Sequence, residues 1–273
     1  MYPSIDPACG NKEINMATTI HPSSVVSPGA EIGEDCIVDP FVIIDDDTVI
    51  GDGNRIGPGT HVRRHSRIGN GNTFSGNCCI GYEPQNITLD PDNRGGVVIG
   101  DGNTFREFCT VHRSTEHPAT VVGDNGLFMV NSHIAHDCVV GDRVTMINNS
   151  VLAGFVELSD HAVLSAYVAI HQYCRVGRYA MVGAYSKIVQ DVVPFTLVDG
   201  NPARVYGTNT VGLRRASFST IEKSTIKKAI RAVYRAPAYT KSALEALEAE
   251  LADNEYVMEI VRFVAGSRRG IIR

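Results

Sequence analysis

Two histidines and an aspartate with the chemistry of a proton-transfer site lie close together in the middle of the chain. His133 and His136 are three residues apart, and Asp137 directly follows the second histidine. A neutral imidazole can accept a proton near pH 7, and a fixed carboxylate beside it can select its tautomer and stabilise its charged form. The same residues also occur as ordinary polar side chains on a sheet surface, so the surrounding sequence has to decide between the two interpretations.

The surrounding sequence has a repeat of six residues. An aliphatic or aromatic residue recurs at every sixth position from Ile20 to Ile188, 26 times in all, with two interruptions. A period of six fits short strands that each bury one large side chain and then turn a corner. Gly, Asn and Asp often follow the apolar residue, and these residue types tolerate the backbone angles of a sharp corner.

Three such hexads make one triangular coil of 18 residues, and stacked coils bury a continuous apolar column. Residues 18 apart therefore lie above one another. This stacking puts His136, Gly154 and Gln172 in one column and His171 in the column beside it. The repeat thus predicts a mainly β protein, in which the histidine cluster lies on the surface of a rigid β-helix.

The chain divides into four predicted segments. An N-terminal extension covers residues 1–17, the β-helix covers 18–193, a linker rich in turn formers covers 194–210, and a helical domain covers 211–273. Capping signals at Ser219, Ser242 and Asp253 predict three helices in the last segment.

The two interruptions of the repeat, at residues 82–98 and 113–119, are predicted to leave the β-helix as loops. Both flank the coil that precedes the histidine cluster. Long loops on a rigid scaffold are usually functional or disordered, and their position favours a function here.

Charge is unevenly distributed along the chain. The net charge of −5 argues against nucleic-acid binding by the whole chain. Residues 211–273, however, carry 12 Lys and Arg against 7 Asp and Glu. Lys223, Lys227, Lys228 and Arg231 recur there at helical spacing. A cationic helix face is usually just solvated. Here the excess of positive charge is confined to one domain of an acidic chain, and this distribution also suits binding of an acidic protein partner.

Cysteine usage and hydropathy indicate a cytoplasmic protein. The seven cysteines are scattered and have no zinc-ribbon spacing, which is typical of reduced thiols. No basic region followed by an apolar stretch opens the chain, and no run of 18 apolar residues occurs. Secretion and membrane spanning are therefore not expected.

Several short motifs follow one another in a defined order. They are Thr110-Val111-His112-Arg113, Asn131-Ser132-His133-Ile134-Ala135-His136-Asp137-Cys138, Ala169-Ile170-His171-Gln172, Val189-Gln190-Asp191-Val192, Gly200-Asn201, Gly212-Leu213-Arg214-Arg215 and Arg269-Gly270-Ile271-Ile272-Arg273. From about Met16 onward the chain resembles the hexapeptide-repeat acyltransferases, and among them the acyl-carrier-protein-dependent UDP-N-acetylglucosamine O-acyltransferases that open lipid A biosynthesis. The resemblance implies a left-handed parallel β-helix, an exception to the usual crossover hand, with a C-terminal α-helical domain.

The resemblance also implies a mechanism. His136 would be the general base on the acceptor hydroxyl, Asp137 would orient it, and the N–H of Gly154 would stabilise the tetrahedral oxyanion. The donor would be an acyl thioester of acyl carrier protein, the acceptor a UDP-amino sugar and the assembly a homotrimer, with no cofactor or metal ion. Ala184, where long-chain enzymes usually have Gly, would set a somewhat shorter acyl length. The substrate-binding residues would be Gln85, Asn86, His133, His171, Gln172, Asn209 and Arg215.

Some positions depart from the family pattern, and they cluster where the acceptor would bind. In the long loop, Asn86 and Thr88 replace an Asp and a Lys. Near the base Phe155 replaces a His, and in the last third of the chain Pro202 and Val211 replace a His and a Glu. The reaction is therefore expected to be preserved with an altered acceptor.

Three other interpretations remain open. The chain could be an acyltransferase for a different nucleotide sugar, or an inactive β-helix that only binds sugar nucleotides or carrier protein. A metal site is the third, because γ-type carbonic anhydrases share this β-helix and bind zinc with three histidines. The spacing of His133, His136 and Asp137 does not reproduce theirs, and the helical tail fits that family poorly.

Overall fold

The protein folds as a left-handed parallel β-helix followed by C-terminal helices, as the sequence predicts. The computed structural model describes residues 17–85, 95–235 and 253–273. Three sheets form the sides of the β-helix, and every pairing among the strands β1–β26 is parallel.

Strands β1–β26 each contain one apolar residue of the six-residue repeat. Their bounds are β1 Thr19–Ile20, β2 Val25–Val26, β3 Glu31–Ile32, β4 Ile37–Val38, β5 Ile43–Ile44, β6 Thr48–Ile50, β7 Arg55–Ile56, β8 His61–Val62, β9 Ser66–Ile68, β10 Thr73–Phe74, β11 Cys79–Tyr82, β12 Gly96–Ile99, β13 Thr104–Phe105, β14 Thr110–His112, β15 Ala119–Val122, β16 Leu127–Phe128, β17 His133–Ile134, β18 Val139–Val140, β19 Thr145–Met146, β20 Val151–Leu152, β21 Glu157–Leu158, β22 Val163–Leu164, β23 Ala169–Ile170, β24 Arg175–Val176, β25 Met181–Val182 and β26 Lys187–Ile188.

Successive strands go to successive sheets. Sheet A contains β1 and every third strand to β25, sheet B contains β2 and every third strand to β26, and sheet C contains β3 and every third strand to β24. One strand from each sheet makes one coil. The repeat residue is buried in every coil from Val38 to Ile188, whereas Ile20 at the open end is 47% exposed. In sheet A, the rings of Phe74, Phe105 and Phe128 stack inside the β-helix at centroid distances of 5.0 and 4.6 Å.

A β-hairpin follows the last coil, within the stretch that the sequence predicts as a linker. Strands β27 (Thr196–Gly200) and β28 (Ala203–Thr208) pair antiparallel, and β27 extends sheet A by pairing with β25. The turn-forming residues between them close a hairpin because the flanking residues find backbone partners on the sheet edge. The proposed division of the chain into domains remains a prediction.

The C-terminal part contains α1 (Thr210–Arg215), α2 (Thr220–Arg235) and α3 (Glu255–Ala265). The predicted capping box begins α2, since the N–H of Ser219 donates to Glu222 and the N–H of Glu222 donates to the Ser219 hydroxyl. The helix predicted from Ser242 lies outside the described residues. The cap of α3 is Asn254, one residue after the predicted Asp253.

The helices pack on the last coil of the β-helix. Phe195, from the end of the β-helix, belongs to one buried cluster with residues of α2 and α3. Arg178 forms an ion pair with Glu259 at 2.6 Å. The chain end returns to the same coil, where the N–H of Ile272 donates to the carbonyl of Asp191 at 2.9 Å. The helical part is thus attached to the coil that follows the histidine cluster.

Candidate active site

The imidazole of His136 lies at the corner between sheets B and C and is bound by its neighbour in sequence. Its Nδ1 is 2.7 Å from Oδ2 of Asp137. An ionised carboxylate can only accept a hydrogen bond, so Nδ1 carries the proton and Nε2 keeps its lone pair. The pair therefore has the tautomer that a general base needs, with Nε2 as the accepting atom.

Asp137 is fixed by the short loop at 113–118. Its Oδ2 accepts from the N–H and hydroxyl of Thr115 at 2.9 and 2.5 Å, and its Oδ1 accepts from the N–H groups of Glu116 and His117 at 2.9 and 2.8 Å. Burial alone would raise the pKa of this carboxyl, but these hydrogen bonds and that from His136 outweigh it and lower the pKa to about 2. Asp137 is therefore an anion at neutral pH.

Gly154 lies in the next coil, directly above His136 in the predicted column. A Cβ at this position would come within 2.5 Å of His136 Cε1 and 2.7 Å of Nε2, so only glycine leaves room for the ring. The next residue, Phe155, donates its N–H to the carbonyl of His136. The N–H of Gly154 has no acceptor within the described residues. It is available to a ligand beside Nε2.

A second pair of histidines lies on sheet B, with His133 on β17 and His112 on the preceding strand of that sheet, β14. His133 Nδ1 is 2.7 Å from the hydroxyl of Thr110, and its ring meets that of His112 edge to face at 4.7 Å. Burial, with the nearby His133 and His136, lowers the pKa of His112 to about 4, and burial likewise lowers the pKa of His133. Both rings are neutral at pH 7, which suits hydrogen bonding to an uncharged group.

His112 was not predicted as a site residue. It is 8% exposed, and its Nδ1 has no hydrogen-bond partner among the described residues. The sequence does contain a signal for it: His112 belongs to the motif Thr110-Val111-His112-Arg113, which lies one coil before His133. In the structure the two motifs are adjacent because β14 pairs with β17.

One cleft of about 450 Å³ collects most of the predicted residues on sheet B and its corner. Its lining includes Gln85, His133, His136, Gly154, His171 and Gln172. His171 Nδ1 donates to the carbonyl of Gln172 at 3.2 Å, so its Nε2 is an acceptor. The cleft therefore combines an imidazole whose Nε2 can accept a proton, a backbone N–H with no acceptor among the described residues, and several further polar groups.

The ring of Phe155 lies beside the base. It is edge-on to His136 and to His117, at centroid distances of 5.4 and 5.5 Å, and it stacks on Tyr173 at 4.7 Å. Phe155 has a φ of 61°, in the left-handed region that large residues rarely adopt. An aromatic ring thus lies on one side of His136, where the resemblance leads one to expect a histidine.

The remaining predicted residues lie elsewhere. Asn209 caps α1 through Gly212 and donates to the carbonyl of Tyr179, while Arg215 is exposed at the end of α1. Ala184 is exposed at the corner before β26. Asn86, together with Thr88, lies outside the described residues.

In the described ranges, no three His, Cys, Asp or Glu side chains are grouped as a metal site would require. No helix among those of the described chain combines the length and apolar character needed to cross a membrane.

Comparisons with known proteins give one consistent result. A family model for domain 2 of UDP-N-acetylglucosamine O-acyltransferase matches residues 191–272, and a bacterial hexapeptide-transferase model matches residues 47–82. Proteins named acyl-[acyl-carrier-protein]–UDP-N-acetylglucosamine O-acyltransferase from Thermodesulfovibrio yellowstonii and Halorhodospira halophila are 38% and 40% identical. The matches cover 93% and 94% of this chain and 99% and 100% of the relatives.

Solved structures agree. A UDP-N-acetylglucosamine acyltransferase from Francisella novicida superposes with a TM-score of 0.91 at 33% identity, over 93% of this chain and 94% of that one. One from Bacteroides fragilis has a TM-score of 0.89 at 37% identity, over 93% of this chain and all of the other.

Proposed function

The chain belongs to the family of acyl-carrier-protein-dependent UDP-N-acetylglucosamine O-acyltransferases, and we propose that His136 is the general base of its reaction. The protein is an acyltransferase. It transfers an acyl group from acyl carrier protein to UDP-N-acetylglucosamine or a related UDP-amino sugar, the first step of lipid A synthesis.

The observation that carries the proposal is the position of Nε2 of His136. Nδ1–H is held by Asp137, so Nε2 accepts the proton of the acceptor hydroxyl as its oxygen attacks the thioester carbon. The carbon becomes tetrahedral, and the carrier thiolate leaves when the carbonyl re-forms. The imidazolium then returns its proton to the leaving sulfur. The ionised carboxylate of Asp137 stabilises the imidazolium between these steps.

The free N–H of Gly154 supports a role as oxyanion donor. It lies one coil from His136, on the same side of the cleft. Such donors act because they are already oriented when negative charge develops, and losing one costs about 10²–10³-fold in rate. The proposed substrate contacts are Gln85, His133, His171 and Gln172. Asn86, which lies outside the described residues, is proposed as a further contact.

The test is His136→Ala, for which we expect a loss of about 10²–10⁴-fold in kcat with unchanged folding. A matched control is His65→Ala. His65 also pairs with an aspartate, Asp47, at the same corner of the β-helix, but it does not line the cleft. Activity of His136→Ala within a few-fold of wild type would remove His136 from the role.

We propose that the acceptor is a UDP-linked amino sugar that need not be UDP-N-acetylglucosamine itself, and that a modified sugar fits the changed residues. Phe155 brings an apolar ring beside His136 where the family has an imidazole, and Asn86 and Thr88 lack the charges of the family residues. A polar group of the sugar that is buried without a hydrogen-bond partner weakens binding. A site with different partners therefore prefers a different sugar. The measurement compares kcat/KM for UDP-N-acetylglucosamine with its 3-amino and C4- or C6-modified analogues. A wide margin for the unmodified sugar would contradict this assignment.

A homotrimer is proposed, with clefts completed by neighbouring subunits. Asn209 and Arg215 do not line the cleft of their own subunit, although the resemblance assigns them to nucleotide binding. Refolding a mixture of His136→Ala and Arg215→Ala chains tests this, because some clefts then receive both wild-type residues. We expect activity above that of either variant refolded alone. An active monomer in sedimentation experiments would contradict the assembly.

A cytoplasmic location is proposed from the cysteine usage.

The acyl donor is proposed to dock on α2. Lys227, Lys228 and Arg231 are exposed there and line a shallow surface depression. A cationic face steers an acidic carrier protein, and this steering weakens with salt.

A further inference from the structure

One ladder of residues runs along the floor of the cleft. On sheet B, His133 pairs in register with Val151, Val151 with Ala169, and Ala169 with Lys187. All four residues line the cleft. The ladder therefore begins at a neutral histidine, crosses two apolar residues and ends at a cation.

Within the part of the chain that the structure describes, the cation at the end of this ladder, Lys187, is unpaired. Among the described residues, no carboxylate lies within 4 Å of Lys187, and its ammonium group makes no hydrogen bond. Lys187 is exposed on the outer face of its strand, so folding does not require its charge. Its position inside the cleft makes the charge available to whatever occupies that end.

The reaction geometry indicates what occupies it. The thioester carbon has to lie between Nε2 of His136 and the N–H of Gly154, at the level of the coil that contains Val151. From that coil to Lys187 there are two strand spacings, roughly 10 Å along the axis. The two ladder residues over this distance, Val151 and Ala169, are apolar, which suits the path of an acyl chain.

We propose that the ammonium group of Lys187 is the end stop of the acyl groove and limits the length of the transferred chain. This inference rests on the proposed function. Methylene groups that pass Lys187 take water away from an unpaired charge, which is unfavourable. The lysine stem can bend toward solvent, so the limit is a graded preference rather than a block. Ala184, the position that the resemblance assigns to chain length, lies in the same coil but does not line the cleft.

The test is Lys187→Met, which removes the charge and keeps the length of the stem. The assay presents wild type and variant with carrier-bound 3-hydroxyacyl donors that differ by two carbons, in competition. We expect the ratio of long to short product to rise by roughly fourfold per methylene, or about fifteenfold per two carbons, for chains just beyond the limit. A ratio measured within one preparation does not depend on the folded fraction.

Arg55→Met is the matched control. It removes an outward-facing cation from β7, outside the cleft, where Arg55 forms an ion pair with Asp39 at the surface. Its donor ratio should equal that of wild type.

An unchanged donor ratio in Lys187→Met would overturn the inference. If that unchanged ratio is accompanied by a raised KM for the UDP-sugar, Lys187 binds the diphosphate instead. A wild-type protein that transfers no acyl group from any carrier-bound donor would instead refute the proposed function itself.

Discussion

Replacing Gly154 with alanine tests the column geometry at its tightest point. The added methyl group would lie 2.5 Å from Cε1 and 2.7 Å from Nε2 of His136, whereas ordinary contacts begin near 3.4 Å. The ring must therefore move by about 1 Å, and a displacement of this size can cost on the order of 10²-fold in rate. Movement also strains the 2.7 Å hydrogen bond to Asp137. We expect kcat to fall by at least about 10²-fold, up to the 10²–10⁴-fold of a lost general base.

The same substitution should have little effect on stability. Gly154 does not have a φ in the left-handed region, so alanine can adopt its backbone conformation. The atoms in the way belong to the end of a side chain, which can rotate, and not to the backbone. Gly→Ala at a compatible position changes the free energy of unfolding by about 0.4–1 kcal/mol in the favourable direction. Urea denaturation should therefore show wild-type-like stability beside a large loss of kcat.

A double-mutant cycle separates displacement of the base from any other effect. If the methyl group acts only by moving His136, then adding Gly154→Ala to His136→Ala should cost almost nothing further, because the group it displaces is already absent. The alanine keeps the backbone N–H, so the oxyanion contact is retained in both variants. The reasoning is refuted if Gly154→Ala keeps activity within a few-fold of wild type. It is also refuted if the double variant is far less active than His136→Ala.

Three further predictions follow from Asp137 and from α2. In Asp137→Asn, the N–H donors of the 113–118 loop face an amide, which accepts hydrogen bonds less well than a carboxylate. Urea denaturation should show that the free energy of unfolding falls by about 1–3 kcal/mol. Steady-state assays should show a fall in kcat of up to about 10⁴-fold. In the folded protein the pKa of Asp137 is about 2, below the ordinary aspartate value of 3.8. Its contribution to stability, on the order of 2 kcal/mol, is therefore present above about pH 4 and is lost as pH falls through about 2. Denaturation of wild type near pH 5 and near pH 2.5 should show this loss, and the Asp137→Asn variant should lack it. Lys227→Glu with Lys228→Glu should raise KM for the carrier-bound donor at low ionic strength with kcat unchanged; an unchanged KM there would contradict the docking assignment.

The β-helix could be predicted in detail because its signal is local and repeated. Each strand needs one buried apolar residue, and each corner needs residues that tolerate it, so 26 repeats in the sequence became 26 strands. The 18-residue coil also predicted the column of His136 and Gly154 correctly. The close approach between these two residues could not be read from spacing, because it depends on the rotamer of the imidazole.

Other features depend on contacts between distant parts of the chain. The loop at 113–118 was predicted only as an interruption, whereas its N–H groups bind a carboxylate about 20 residues later. The hairpin of β27 and β28 was interpreted as a linker, because its turn formers are visible in the sequence and its pairing with β25 is not. The ion pair of Arg178 with Glu259 joins residues 81 apart, and no local pattern announces it.

Different parts of the structure determine the proton-transfer geometry of this site and its substrate specificity. His136 is fixed mainly by the backbone: three of the five hydrogen bonds that Asp137 accepts come from N–H groups, and Gly154 leaves space for the ring. Phe155 and Lys187, by contrast, are side chains at a corner and on a strand surface, and replacing either leaves those backbone contacts in place. Substitutions at such positions can change which sugar or which acyl chain fits while the proton transfer geometry stays constant. A parallel β-helix therefore allows acceptor and donor preference to vary independently of the reaction, because each coil adds its own side chains at a fixed spacing.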